Sequence, residues 1–169
     1  MKATALFALV VALIAVSNAA DQTAIDWPAV KSRVFPSALD RLRVSKLLVL
    51  DPSATRRDAP PGAARFHNWV VAASSVQVDA SSGSPLILSM RAIVGAPIEG
   101  VAACFDPHHG AVLTDGDSTF DVVICFECAR YDVFDAEGKL IWGSSFAIAA
   151  GEAPKWNHIF RATGLEVRD

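Results

Sequence analysis

AVLTDGDSTFDVVICFECARYDVF (residues 111–134), followed by DAEGK (135–139) and LIWGSSFAI (140–148), decides the fold. Its apolar, β-branched runs are separated by two short polar turns, Asp115-Gly116-Asp117-Ser118 and 135–139 around Gly138, a spacing that predicts three antiparallel strands. Upstream, Ser84 before Pro85 has the form of an N-cap followed by proline at the first helical position. Leu86, Ile87, Met90, Ile93 and Val94 then recur at helical spacing until Gly95 and Pro97. Downstream, Trp156, Ile159 and Phe160 share one side of a closing helix that ends at Gly164.

Two further strands precede this block. KLLVL (46–50) is closed by Asp51-Pro52, and FHNWVVAASSVQV (66–78) ends in alternation, with an exposed loop rich in proline and charge between them. The expected architecture is one α+β domain over 46–169, a largely antiparallel sheet of about five strands with helices packed on one face. Residues 20–45, with Pro28 and Pro36 among mixed charges, read as a loosely ordered lead-in.

The N-terminus predicts destination. Lys2 precedes the apolar run 3–16, and the small residues Ser17, Ala19 and Ala20 follow, which is the pattern of a cleavable signal peptide over 1–19. The run is shorter than the roughly 20 residues of a membrane-spanning helix, so no stable membrane insertion is expected after cleavage. The expected location is periplasmic or extracellular. Loss of Lys2 takes the net charge from −3 to −4, and no basic run is present, which argues against a nucleic-acid partner.

In an exported chain, three cysteines form at most one internal disulfide and leave one thiol. A hairpin turning at 115–118 pairs residues whose numbers sum to about 233, bringing Cys104 beside Cys128 as a candidate cross-strand disulfide. Side chains alternate along a strand, so Cys125 and Cys128 are expected on opposite faces unless a bulge intervenes. Cys104, His109, Cys125 and Cys128 also form a candidate Cys3His metal set suited to zinc. A third possibility is thiol redox chemistry, against which Glu127 and Asp121 place negative charge nearby.

The segments Cys104-Phe105-Asp106-Pro107-His108-His109-Gly110 and Ile124-Cys125-Phe126-Glu127-Cys128 resemble an uncharacterised family of small exported or lipid-anchored bacterial proteins. That family carries a Cys-Phe-x-Pro-x-His-Gly and Ile-Cys-Phe-x-Cys pattern, and the likeness runs from Lys46 through Phe66-His67 to 156–164. It implies a shared architecture and cysteine framework, with no activity attached. His108 stands where the pattern has arginine, so the resemblance favours His109 as a ligand.

Other motifs are weaker. Asp115, Asp117, Thr119 and Asp121 have the spacing that opens a calcium loop but lack its glycine and closing glutamate, and a hairpin turn accounts for them better. His67 and His158 lie in aromatic settings typical of structural histidines. No nucleophile elbow, phosphate loop or dinucleotide motif occurs, so no catalytic residue is assigned and no cofactor beyond possible zinc. The expected role is a non-enzymatic binding or envelope-associated domain with a structural cysteine hairpin. Zinc binding and thiol redox chemistry are the alternatives.

Overall fold

The computed structural model describes residues 34–54, 59–74, 78, 84–95, 97–98, 104–146 and 152–167. The expected signal peptide, residues 20–33 of the lead-in and Trp27 lie outside them. Eight strands form one sheet: β1 Arg43–Asp51, β2 Arg65–Phe66, β3 Trp69–Ser74, β4 Pro97–Ile98, β5 His109–Thr114, β6 Thr119–Cys125, β7 Arg130–Phe134 and β8 Leu140–Phe146. Their order is β2-β3-β1-β5-β6-β7-β8-β4, with every pairing antiparallel. The sheet curls as a half-barrel. Three short helices accompany it among the described residues: α1 Val34–Ala38, α2 Pro85–Gly95 and α3 Glu152–Ala162.

This architecture corrects the expected five-stranded α+β sheet with a helical layer. The sheet dominates, and α2 and α3 pack chiefly against each other rather than forming a layer of their own. Two of the three further strands arise at turns that lack glycine and proline, and the third is the two-residue β4 beyond the stop of α2. The run 119–134 breaks at Phe126–Ala129, where Ala129 adopts φ 49° and its N–H donates to Phe126 O at 3.2 Å. The run 66–78 breaks at His67-Asn68, with His67 at φ 54°. Neither break contains the glycine or proline that marks a turn in sequence.

The turn at 115–118 sets the register as expected, from Thr114↔Thr119 to His109↔Ile124. Asp115 Oδ1 accepts from the N–H groups of Asp117 (3.1 Å) and Ser118 (2.8 Å), closing the turn. The Ser118 hydrogen bond foremost holds its carboxyl below the ordinary value.

Both faces of the sheet are apolar. The larger cluster takes Val44, Leu47, Val49, Leu113, Val122, Ile124, Tyr131 and Val133 from the strands, together with the buried sides of the helices. It also includes Phe35, Leu39 and Leu42, so the core draws on residues assigned by sequence to the lead-in. Pro36 reads there as a breaker, yet it occupies the first turn of α1, where proline is tolerated. The opposite face carries a second cluster of Leu48, Leu50, Phe66, Val123 and Phe134. A Cβ added at Gly110 would lie 3.2 Å from the Phe66 ring and 3.3 Å from Leu48 Cβ, so a side chain there would push the Phe66 ring or Leu48 back by a few tenths of an ångström.

Local chemistry fixes the helices. Ser84 Oγ accepts from Ile87 N–H at 3.3 Å, the expected N-cap of α2. Past the end of α3, Gly164 takes φ 80° and Leu165 N–H returns to Phe160 O at 3.0 Å. A buried polar chain links the helix pair: Trp156 Nε1–H donates to Ser89 Oγ (2.8 Å), Ser89 to Glu152, and Lys155 Nζ to Glu152 (2.6 Å). Burial alone pushes the Glu152 carboxyl up, but the Lys155 and Ser89 hydrogen bonds and the Lys155 charge outweigh it. Its pKa therefore falls below the ordinary 4.5.

A lowered folded-state value means that this contribution to stability is fully present above pH 4.5 and is lost as pH falls through the folded pKa. Urea midpoints measured at pH 7 and pH 3 should therefore fall further for the wild type than for Glu152→Gln. Equal acid losses in the two proteins would contradict this assignment.

Candidate functional site

The β6–β7 hairpin brings the three sulfurs together. β6 ends at Cys125, and the turn that follows carries Cys128 back over it, so the two stand at disulfide distance with Cα atoms 5.2 Å apart. Cys128 N–H also points at Cys125 Sγ, 3.0 Å away. The expectation that these residues face opposite ways fails because strand alternation stops at Cys125. The predicted neighbour relation between Cys104 and Cys128 is observed, but as a contact: their sulfurs are 3.2 Å apart while Cys128 is bonded to Cys125. Cys125 and Cys128 are buried at 1% and 6% exposure, whereas Cys104 is exposed. Solvent therefore reaches the sulfur trio chiefly through Cys104.

Arg130 organises the surroundings. It is the register partner of Cys125 across the hairpin. Its Nε and Nη2 donate to Asp132 Oδ1 at 3.3 and 3.2 Å, and Nη2 also reaches Oδ2 at 3.1 Å. Burial pushes the Asp132 carboxyl above its ordinary value, and the Arg130 charge and hydrogen bonds offset only part of that rise. The Arg130 guanidinium carbon lies 4.4 Å from the centroid of the Phe105 ring, which meets Trp69 edge-on at 5.3 Å. Glu127, read from sequence as an unfavourable neighbour, is exposed on the turn.

His109 occupies a different setting. Its ring sits edge-on to Phe126, Trp156 and Phe160, at 5.1, 6.0 and 5.0 Å, and its Nε2 shares a 2.7 Å hydrogen bond with Asn157 Oδ1. Trp156, Asn157 and Phe160 tie it to α3, and Phe126 to the β6–β7 turn. Among the described residues no group of three or more His, Cys, Asp or Glu is arranged to hold a metal ion. His108 lines a cavity of about 530 Å³ with Asp51 and Glu166.

His67 stacks on Phe134 at 3.8 Å and pairs through Nε2 with Asp121 Oδ2 at 3.0 Å. It pins the β2–β3 hairpin across the sheet. His158 is on α3; Trp156 is fully buried, and Trp69 and Trp142 are half-buried. Trp142 Nε1–H donates to Tyr131 OH at 2.6 Å, and burial pushes the Tyr131 phenol up to about 12.

Sequence reasoning did not single out Arg130 or Asp132, and it quoted Phe105 only as part of a motif, without a role. The period-two spacing of Arg130 and Asp132 in ARYDVF was a legible sign of a same-face pair, but it has meaning only once a strand begins at Arg130.

No family model, curated protein or solved structure matches the chain. No helix among the described residues is long and apolar enough to cross a membrane.

Chemically, the trio is one thiol in contact with one disulfide. Exchange requires a thiolate to approach a disulfide sulfur. Cys104 is already there.

Proposed function

We propose that the protein is an exported thiol–disulfide exchange protein, with Cys104 as its exposed sulfur and Cys125–Cys128 as its stored disulfide. The observation that carries this reading is the 3.2 Å approach of Cys104 Sγ to Cys128 Sγ. Deprotonated Cys104 attacks Cys128; the Cys104–Cys128 bond forms, the Cys125–Cys128 bond breaks, and Cys125 leaves as a thiolate that takes up a proton. No net oxidation occurs in this step.

The new disulfide contains an exposed sulfur. A partner dithiol attacks at Cys104, releasing the Cys128 thiolate, and its second thiol resolves the mixed disulfide. The partner becomes oxidised, Cys125 and Cys128 are left as thiols, and Cys104 is regenerated. Export to the periplasm or beyond suits this chemistry, because disulfides persist in oxidising compartments.

The test is reduction of the oxidised protein by a dithiol too large to enter the core. Cys104→Ser should slow reduction of Cys125–Cys128 by about a hundredfold or more, the scale lost when a held reactant must be replaced from solution. The same variant denatured in urea should be reduced at the wild-type rate. Equal rates for the folded proteins would overturn the exchange reading and leave the hairpin disulfide as a structural staple. Stoichiometric zinc in protein purified from its native compartment would overturn it in favour of the Cys3His set.

A further inference from the structure

Resting on the exchange reading, the geometry points to Arg130 and Phe105 as a positioning clamp that holds Cys104 against the Cys125–Cys128 disulfide. Cys104 precedes β5 and belongs to no strand. A main-chain tie from this stretch lies at its far end, where His108 O accepts from Leu50 N–H at 3.0 Å. Closer to the sulfur, the anchoring side chain is Phe105, half-buried against the second apolar cluster.

Phe105 is held from two directions. Trp69 meets its ring at 5.3 Å and 85°, and Arg130 lies over its face at 4.4 Å. The guanidinium is itself fixed, because Asp132 engages it with both carboxylate oxygens and is only 4% exposed. A planar cation immobilised in this way attracts the ring face more effectively than a solvated one.

Position on the hairpin gives the clamp its consequence. Arg130 is paired with Cys125, so the residue that grips Phe105 belongs to the hairpin that carries the disulfide. Movement of the hairpin and movement of Cys104 are thereby coupled. Exchange between bound groups is steeply sensitive to placement, and a displacement of about 1 Å costs up to a hundredfold in rate. Arg130 and Phe105 act through the placement of Cys104.

The experiment follows the isomerisation directly. Oxidised protein is quenched with iodoacetamide over time, and peptide mapping reads two products: Cys104 alkylated with Cys125–Cys128 intact, and Cys125 alkylated with a Cys104–Cys128 disulfide. Arg130→Gln and Phe105→Leu should each slow formation of the second product by about tenfold, the factor expected from losing a desolvated cation–π contact. The rate of direct Cys104 alkylation should stay within about twofold of wild type, since its intrinsic reactivity is not what the clamp supplies.

Arg130→Lys keeps the charge and loses the fork, so it should recover only part of the rate. Phe105→Leu separates placement from electrostatics because it leaves Arg130 in place. If wild type forms the second product and both Arg130→Gln and Phe105→Leu form it at the wild-type rate, the clamp is refuted and exchange stands. If wild type never forms it, exchange itself fails and the clamp falls with it. General acceleration of alkylation at all three cysteines would mean unfolding rather than misplacement, and would also refute the clamp.

Discussion

Trp156→Ala should cost about 3–5 kcal/mol of folding stability, the range for removing a fully buried aromatic side chain. Trp156 is 0% exposed and faces the rings of His109, Phe126 and Phe160. Its loss opens a void where α2, α3 and the sheet meet, and the sheet, fixed by its ladders, cannot close around it. Domains of this size commonly have about 5–15 kcal/mol in total, so the variant should be marginal at room temperature. Trp156→Phe separates volume from hydrogen bonding: it keeps most of the ring and removes the donor to Ser89. Because Ser89 retains Glu152 as its acceptor, the hydrogen-bond loss should be about 1 kcal/mol. Urea unfolding measures both, and an alanine variant within 1 kcal/mol of wild type would show that the site collapses freely, contrary to the packing described.

The sequence carried much of this arrangement wherever a residue acts through its nearest neighbours. Ser84, Pro85 and Gly95 bounded α2 because caps and breakers work over one helical turn. Asp115 to Ser118 fixed the β5–β6 register because a two-strand turn leaves little slack, and beyond the end of that ladder Cys104 and Cys128 meet as a side-chain contact. What was hidden depended on the sheet as a whole. Ala129 and His67 enter positive φ without being glycine, because pairing on both sides over-determines them. Pro36 reads as an interruption although it sits in the first turn of a helix. His109 looked like a ligand from its distance along the chain to the cysteines, yet β5 turns its ring toward α3 and Asn157.

Serine substitution at the two hairpin cysteines should give opposite outcomes. In Cys125→Ser, the remaining sulfurs already stand 3.2 Å apart, and mild oxidation should yield a Cys104–Cys128 disulfide with no free thiol. In Cys128→Ser the shared partner is gone, so two thiols should remain and the exposed Cys104 should oxidise between molecules. Stability should follow the loops that are closed. The hairpin bond spans a sequence separation of 3, and chain entropy gives it about 1.9 kcal/mol; the alternative bond spans 24 and is worth about 3.5 kcal/mol. Oxidised Cys125→Ser should thus be the more stable variant by about 3.5 kcal/mol, a gap that reductant erases. That entropy belongs to the unfolded chain, so within the folded protein, where Cys104 and Cys128 already touch, it neither drives nor opposes moving the link from Cys125 to Cys104. Peptide mapping under non-reducing conditions and paired urea curves decide the matter. Two free thiols in oxidised Cys125→Ser would mean that the observed sulfur contact cannot become a bond.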